Sequence, residues 1–166
     1  ISSAVGSPLY QWYSNTANNT TSGTLIPGAT NATYTPSSSA IGTLYYYCVI
    51  TLSSGGCASL TSATASITIN PLATITLQPL ATQNICVGVT IASPLTVNFT
   101  GGTGTASYQW FSNTSNSTVG GTAIPGATNA SYTPAVFTSP GIFYYYVVLT
   151  LSGNGCGTTT SAVASI

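Results

Sequence analysis

Tyr108-Gln109-Trp110-Phe111-Ser112-Asn113-Thr114 repeats Tyr10-Gln11-Trp12-Tyr13-Ser14-Asn15-Thr16 at an offset of 98 residues. Ile26-Pro27-Gly28-Ala29-Thr30-Asn31-Ala32 returns unchanged at Ile124 to Ala130, at the same offset. After one inserted residue the offset is 99: Tyr45-Tyr46-Tyr47 matches Tyr144-Tyr145-Tyr146, Cys57 matches Cys156, and Thr61-Ser62-Ala63 matches Thr160-Ser161-Ala162. Internal repetition is the first thing to look for in a sequence, and its period sets the size of the folding unit. A period near 98 residues is one sandwich domain, far longer than a solenoid turn.

Around the quoted stretch, short runs rich in Val, Ile, Thr and Tyr alternate with Gly, Pro, Ser and Asn clusters, the pattern of strands and turns. The second copy reads as strands near 73–78, 85–91, 94–100, 106–112, 122–124, 130–133, 142–151 and 158–166. Turns are signalled at Gly101-Gly102, Pro125-Gly126, Pro140-Gly141 and Gly153-Asn154-Gly155. No segment has a helical period. The expected fold class is all-β, with tandem immunoglobulin-like β-sandwich domains in an elongated array. Three features narrow it to that sandwich. Trp110 stands where a central strand carries its core Trp. Val97 lies thirteen residues earlier on the alternating Leu95, Val97, Phe99 face. Tyr46 and Tyr145 each stand two residues before Cys48 and Val147, the tyrosine-corner spacing.

The repeat divides the chain into an N-terminally incomplete unit, 1–70, and a complete unit, 71–166. Ile1 aligns with Phe99, so Leu72 to Asn98 have no counterpart in the first unit. The joint at Ile69-Asn70-Pro71-Leu72 is short, which predicts a stiff connection and an extended rod. The chain carries neither an initial Met nor a basic leader, and reads as a fragment of a longer protein.

Composition excludes most chemistry. The 166 residues include no Asp, Glu, Lys, Arg or His, where an average protein is roughly 25% charged. General acid–base and nucleophilic catalysis draw on those side chains, and Ser without a base is a poor nucleophile. No enzymatic activity, cofactor or metal is expected; calcium in particular needs carboxylates. Nucleic-acid binding needs Lys and Arg at phosphates, and no stretch reaches the ~20 apolar residues of a membrane-spanning helix. Disorder is also a poor reading: 43% of residues are hydrophobic, with 11 Tyr, 4 Phe and 2 Trp, the reverse of a disordered composition.

Core positions are expected at Trp12, Trp110, Tyr46, Tyr145, Cys48 and Val147. Side chains alternate along a strand, so Tyr13, Tyr45 and Tyr47, with Phe111, Tyr144 and Tyr146, are expected on the outer face. These rings either cover one another or form a contact face. Cys86 and Cys156 are expected to pair if the two units fold alike, a bridge worth about 3–4 kcal/mol on the loop-entropy account. Cys57 corresponds to Cys156. Cys48, opposite Val147 in the alignment, reads either as a buried free thiol or as a partner for Cys57. An oxidising setting fits both. Asn-x-Ser/Thr triplets at Asn18, Asn19, Asn31, Asn98, Asn113, Asn116 and Asn129 follow from a composition rich in those residues.

The runs Tyr-Gln-Trp-Tyr-Ser-Asn, Ile-Pro-Gly-Ala-Thr-Asn-Ala-Thr-Tyr-Thr-Pro, Tyr-Tyr-Tyr-Cys and Thr-Ser-Ala-Thr-Ala resemble the Ig-like repeats of giant Bacteroidota cell-surface proteins, of which the gliding-motility adhesins of flavobacteria are the best known. The resemblance covers nearly the whole chain. It implies type IX secretion, an extracellular or cell-surface location, and a structural or adhesive role in a long fibre or filament. The partners it implies are neighbouring repeats of the same chain, other copies in a fibre, and surface glycans. A glycan- or surface-binding module using the tyrosine face is the alternative.

Overall fold

The computed structural model describes residues 6–53, 59–153 and 157–166. All regular structure among them is β, and no helix occurs. The chain forms two compact units, Ile1–Ile69 and Asn70–Ile166, dividing within one residue of the boundary expected from the repeat.

Unit 1 is built on strands β1 (Pro8–Asn15), β2 (Thr24–Leu25), β3 (Gly42–Leu52), β4 (Leu60–Thr61) and β5 (Ala65–Ile69). They form one antiparallel sheet in the order β2-β1-β3-β4, with β5 also pairing β3. The Tyr-Gln-Trp-Tyr run lies on β1 and the triple tyrosine on β3. Their register sets Trp12 opposite Cys48 and Tyr13 opposite Tyr47.

Unit 2 contains β6 (Thr74–Leu77), β7 (Leu95–Thr96), β8 (Asn98–Thr100), β9 (Ala106–Asn113), β10 (Thr122–Ala123), β11 (Ser131–Tyr132), β12 (Tyr144–Leu151), β13 (Thr158–Thr160) and β14 (Ala164–Ser165). Its main sheet repeats that of unit 1: β10-β9-β12-β13, with β14 on β12. Two further ladders, β7–β11 and β6–β8, supply the opposing layer. Leu95, Val97 and Ile91 from that layer close on Trp110, Tyr145, Val147 and Ala164 of the main sheet. Trp110, Val147 and Leu95 are each 0% exposed. Unit 2 is therefore the β-sandwich expected from the sequence. The segment at Ala81–Gln83 adds a parallel contact to β14: Gln83 N–H donates to the Ser165 carbonyl and Ser165 N–H to that of Ala81, both at 2.9 Å.

One expected strand is absent. Residues 85–91 form no ladder; a turn runs through them, closed by Val89 N–H donating to the Cys86 carbonyl at 3.2 Å. The apolar alternation that suggested a strand there serves packing only at its ends, Ile85 against the core and Ile91 within it. The final run also divides, into β13 and β14. Ser161 causes the break: its hydroxyl accepts from Val147 N–H at 3.0 Å and donates to the Ala162 carbonyl at 2.8 Å, taking a place a backbone group would fill. Ser62 makes the same clasp on Cys48 N–H at 2.9 Å.

Candidate contact face

The repeated motifs are consumed largely by their own hairpins. Trp110 Nε1 donates to the Asn129 carbonyl at 2.9 Å, and Trp12 Nε1 to that of Asn31 at 3.0 Å. The Ile-Pro-Gly-Ala turn docks on the same tryptophan backbone: Ile124 N–H donates to the Trp110 carbonyl at 2.9 Å and Trp110 N–H to that of Ala127 at 3.0 Å. The turn places Gly126 at φ 74° and Gly28 at φ 76°, a left-handed conformation that explains the glycine in both copies. Asn113 Nδ2 bridges the Ser117 and Val119 carbonyls at 2.8 and 3.0 Å, and Asn15 reaches Asn19 and Thr21 in the same way. These roles were not foreseen for Gln, Asn and Ser; the signal was their identity in both copies.

On the inner face Trp110, Tyr145 and Val147 are buried as expected, and so are Tyr46 and Cys48. Trp12 is only half-buried. The two corner tyrosines act through their rings. Tyr132 sits between Trp110 and Tyr145, with centroids 5.8 and 6.0 Å away; Tyr34 sits 5.9 Å from both Trp12 and Tyr46. Burial, then the neighbouring Tyr132, pushes the Tyr145 phenol up to about 12. Burial raises Tyr132 too, and burial followed by Tyr34 raises Tyr46.

On the outer face the alternation holds but the exposure does not. Tyr13 stacks on Tyr47 at 5.2 Å and 6°, and Phe111 on Tyr146 at 5.1 Å and 4°. Tyr47 and Tyr146 are each only 4% exposed, so they cannot form part of an accessible face. The reason is local: Gly23 and Gly121 pass directly over the ring tips, where a Cβ on Gly121 would stand 2.6 Å from the Tyr146 hydroxyl. Of the six expected contact residues, Tyr13 and Phe111 are half-buried ring partners of those two. Tyr45 and Tyr144 are the outward, half-buried tyrosines outside the stacks, opposite Asn15 and Asn113.

Unit 2 carries an open cleft of about 430 Å³ lined by Ser112, Ile124, Tyr132, Phe137, Phe143 and Tyr145, among others. Its walls carry rings and hydroxyls and no ionisable group other than phenols. Among the described residues no cluster suited to a metal ion occurs. Among the described residues Cys48 is buried and Cys86 exposed, and no disulfide joins the two. Cys57 and Cys156 lie outside the described residues, and with them the pairings expected for Cys86–Cys156 and Cys48–Cys57.

A β-sandwich whose repeated residues hold its own hairpins, with a residual outward tyrosine in each unit, defines a β-repeat protein. The chain belongs to the family described as Domain of unknown function (DUF8696), whose model matches residues 1–71 and again 76–166. Comparison with curated proteins gives no match.

Proposed function

We propose that the chain is a structural and adhesive repeat segment of a long extracellular bacterial fibre, of the kind its motifs resemble in Bacteroidota surface proteins exported by the type IX route. The observation that carries this reading is the complete lack of charged side chains across two copies of one unit. A neutral surface removes the like-charge repulsion that keeps soluble domains apart, and its contacts are indifferent to ionic screening. Such units pack densely side by side. The lack of carboxylates, imidazoles and amines on side chains, which leaves only Tyr and Cys to move protons, argues in the same direction, against an enzyme. Immuno-electron microscopy of the source cells with an antibody to the 166-residue chain tests the reading. Label spaced along surface filaments supports it; label inside the cell sinks it.

A second reading, a glycan- or surface-binding module, draws on Tyr45 and Tyr144. Both point away from the core and stay partly accessible, and tyrosine presents a flat apolar face with a polar tip. Binding of the chain to a glycan array, lost in a Tyr45→Thr/Tyr144→Thr variant, would favour it.

A further inference from the structure

Unit 2 holds polar groups that its own fold leaves unused. Tyr145 is only 7% exposed, yet its hydroxyl makes no hydrogen bond among the described residues. No fully buried side-chain oxygen there lacks a partner, so this phenol ends at a surface. That surface is the cleft of about 430 Å³ that Tyr145 lines. The Tyr132 and Ser112 hydroxyls belong to the same lining, and neither makes a hydrogen bond among the described residues. The polar side chains nearby are engaged: Gln109 holds Ile124, Asn113 holds Ser117, and Ser161 accepts from Val147. Three unpaired hydroxyls on one hollow set the cleft apart.

The rest of its wall is aromatic. Phe137 and Phe143 pack with centroids 4.5 Å apart and planes 32° apart, and both line the cleft. A second hollow of about 310 Å³ shares Ser112 and Phe143 with the first and includes Thr114 and Thr122. The depression therefore continues past Phe143 toward two threonine hydroxyls.

These features select the ligand. A charged group would lose its water and find no counter-charge on any side chain of the chain. A hydrocarbon would cover the hydroxyls without giving them an acceptor, which is costly. A neutral pyranose ring has an apolar face to lie on a phenyl ring and hydroxyls around its edge to pair with phenols and serine. The volume falls within the range of about 300–1,000 Å³ typical of small-molecule sites.

We propose that this cleft is a binding site for a neutral sugar. One pyranose lies against Phe143 with its hydroxyls paired to Tyr145, Tyr132 and Ser112, and a linked ring extends toward Thr122. Unit 1 repeats the hydroxyls at Ser14, Tyr34 and Tyr46 around a hollow of about 290 Å³. It has Leu44 in place of Phe143, however, and residues 36–43 contain no aromatic side chain to match Phe137. The aromatic wall thus assigns the sugar to unit 2, one site per chain. The site is separate from the outward Tyr45 and Tyr144, and the inference stands whether or not the chain belongs to a fibre.

The test titrates the whole 166-residue chain, labelled with nitrogen-15, with cellobiose, maltose and lactose, and reads the amide shifts by NMR. The expected result is saturable binding of at least one disaccharide with a Kd on the order of 1 mM, with shifts gathered at Ser112, Tyr132, Phe143 and Tyr145. Tyr145→Phe keeps the ring and should weaken binding about fivefold, the effect of one hydrogen bond. Phe143→Leu installs the residue that unit 1 carries and should weaken it by a similar factor. Thermal unfolding verifies that both variants are folded. Four outcomes would overturn the proposal. None of the three sugars gives saturable shifts. Both folded variants bind as tightly as the unaltered chain. Binding is lost in Tyr45→Thr/Tyr144→Thr and kept in Tyr145→Phe, which moves it to the outward tyrosines. N-acetylglycinamide, an uncharged peptide fragment, binds the same residues more tightly than any of the sugars, which makes a peptide the occupant. Filament labelling on cells decides the fibre reading separately.

Discussion

Gln109 donates its side-chain amide to the Ile124 carbonyl at 2.9 Å and to the Trp110 carbonyl at 2.9 Å, tying a central strand to the turn beside it. Gln11 makes the same pair of bonds to Ile26 and Trp12. Both are partly buried, so removing the amide loses two hydrogen bonds, although the Trp110 and Ile124 carbonyls keep the Ile124 and Ala127 N–H groups as donors. Gln109→Ala should cost about 1–3 kcal/mol, read as a lower urea midpoint with an unchanged slope. Gln109→Glu should cost more at neutral pH, because a carboxylate cannot donate and faces two carbonyl oxygens. Its folded-state pKa would be raised, so stability should partly return as pH falls through that raised value toward the ordinary Glu value of about 4.3. A Glu variant with no pH dependence would show that the side chain leaves this site.

The two tryptophans should not be equivalent. Trp110 is sealed between two layers, and Trp110→Ala should cost about 3–5 kcal/mol through lost burial and a cavity. Trp12 occupies the same motif but is half-buried, so Trp12→Ala should cost on the order of half as much. Calorimetry of the two variants checks this; equal losses would contradict the half-buried setting of Trp12.

The sheet was legible because two independent signals agreed on it. Period-2 alternation placed Trp110, Tyr145 and Val147 inward, and repetition set Tyr46 and Cys48 at the matching positions around Trp12. What escaped was whatever depends on a third element. Tyr146 has the right parity for an outer face, but alternation says nothing about the Gly121 hairpin that covers it. Residues 85–91 have strand composition, yet a turn closes at Cys86–Val89 and Gly88 N–H donates singly to the Phe137 carbonyl at 3.0 Å, with no ladder formed. Ser161 reads as one more hydroxyl in a threonine-rich run, and only the ladder reveals that it stands in for the backbone.

Stability should be flat across the acid and neutral range. With no side-chain carboxylate or imidazole, no side chain ordinarily titrates between about pH 4 and 8. The alkaline limb should differ. Tyr145 is raised to about 12 in the fold, while the unfolded phenol ionises near 10. Its stabilising effect is complete below about pH 10 and is lost as pH rises from there toward 12, because only the unfolded chain releases the proton. The loss should be of order 2 kcal/mol. Denaturation curves at pH 7, 10 and 11 check it, and Tyr145→Phe should blunt the alkaline fall.

Gly121→Ala tests how Tyr146 is buried. The added methyl would collide with a phenol that is stacked on Phe111 and only 4% exposed. Overpacking of this kind costs about 1–3 kcal/mol, and Tyr146→Phe should recover part of it by removing the hydroxyl nearest the new Cβ. Failure of that rescue would place the strain elsewhere in the hairpin.

The outward tyrosines separate folding from association. Tyr146→Thr removes a buried, stacked ring and should destabilise unit 2 by about 2–4 kcal/mol. Tyr45→Thr and Tyr144→Thr remove partly accessible rings outside the stacks and should each change stability by less than about 1 kcal/mol. If these residues join neighbouring chains, the double variant should associate less at equal folded concentration. Because the chain carries no charged side chain, association of the unaltered chain should be nearly the same at low salt and in the molar range of sodium chloride, with screening having nothing to act on. Light scattering across that range checks both points. Steep salt dependence would remove neutral packing as the reason for the missing charge. Unchanged association of the double variant would remove Tyr45 and Tyr144 from the contact.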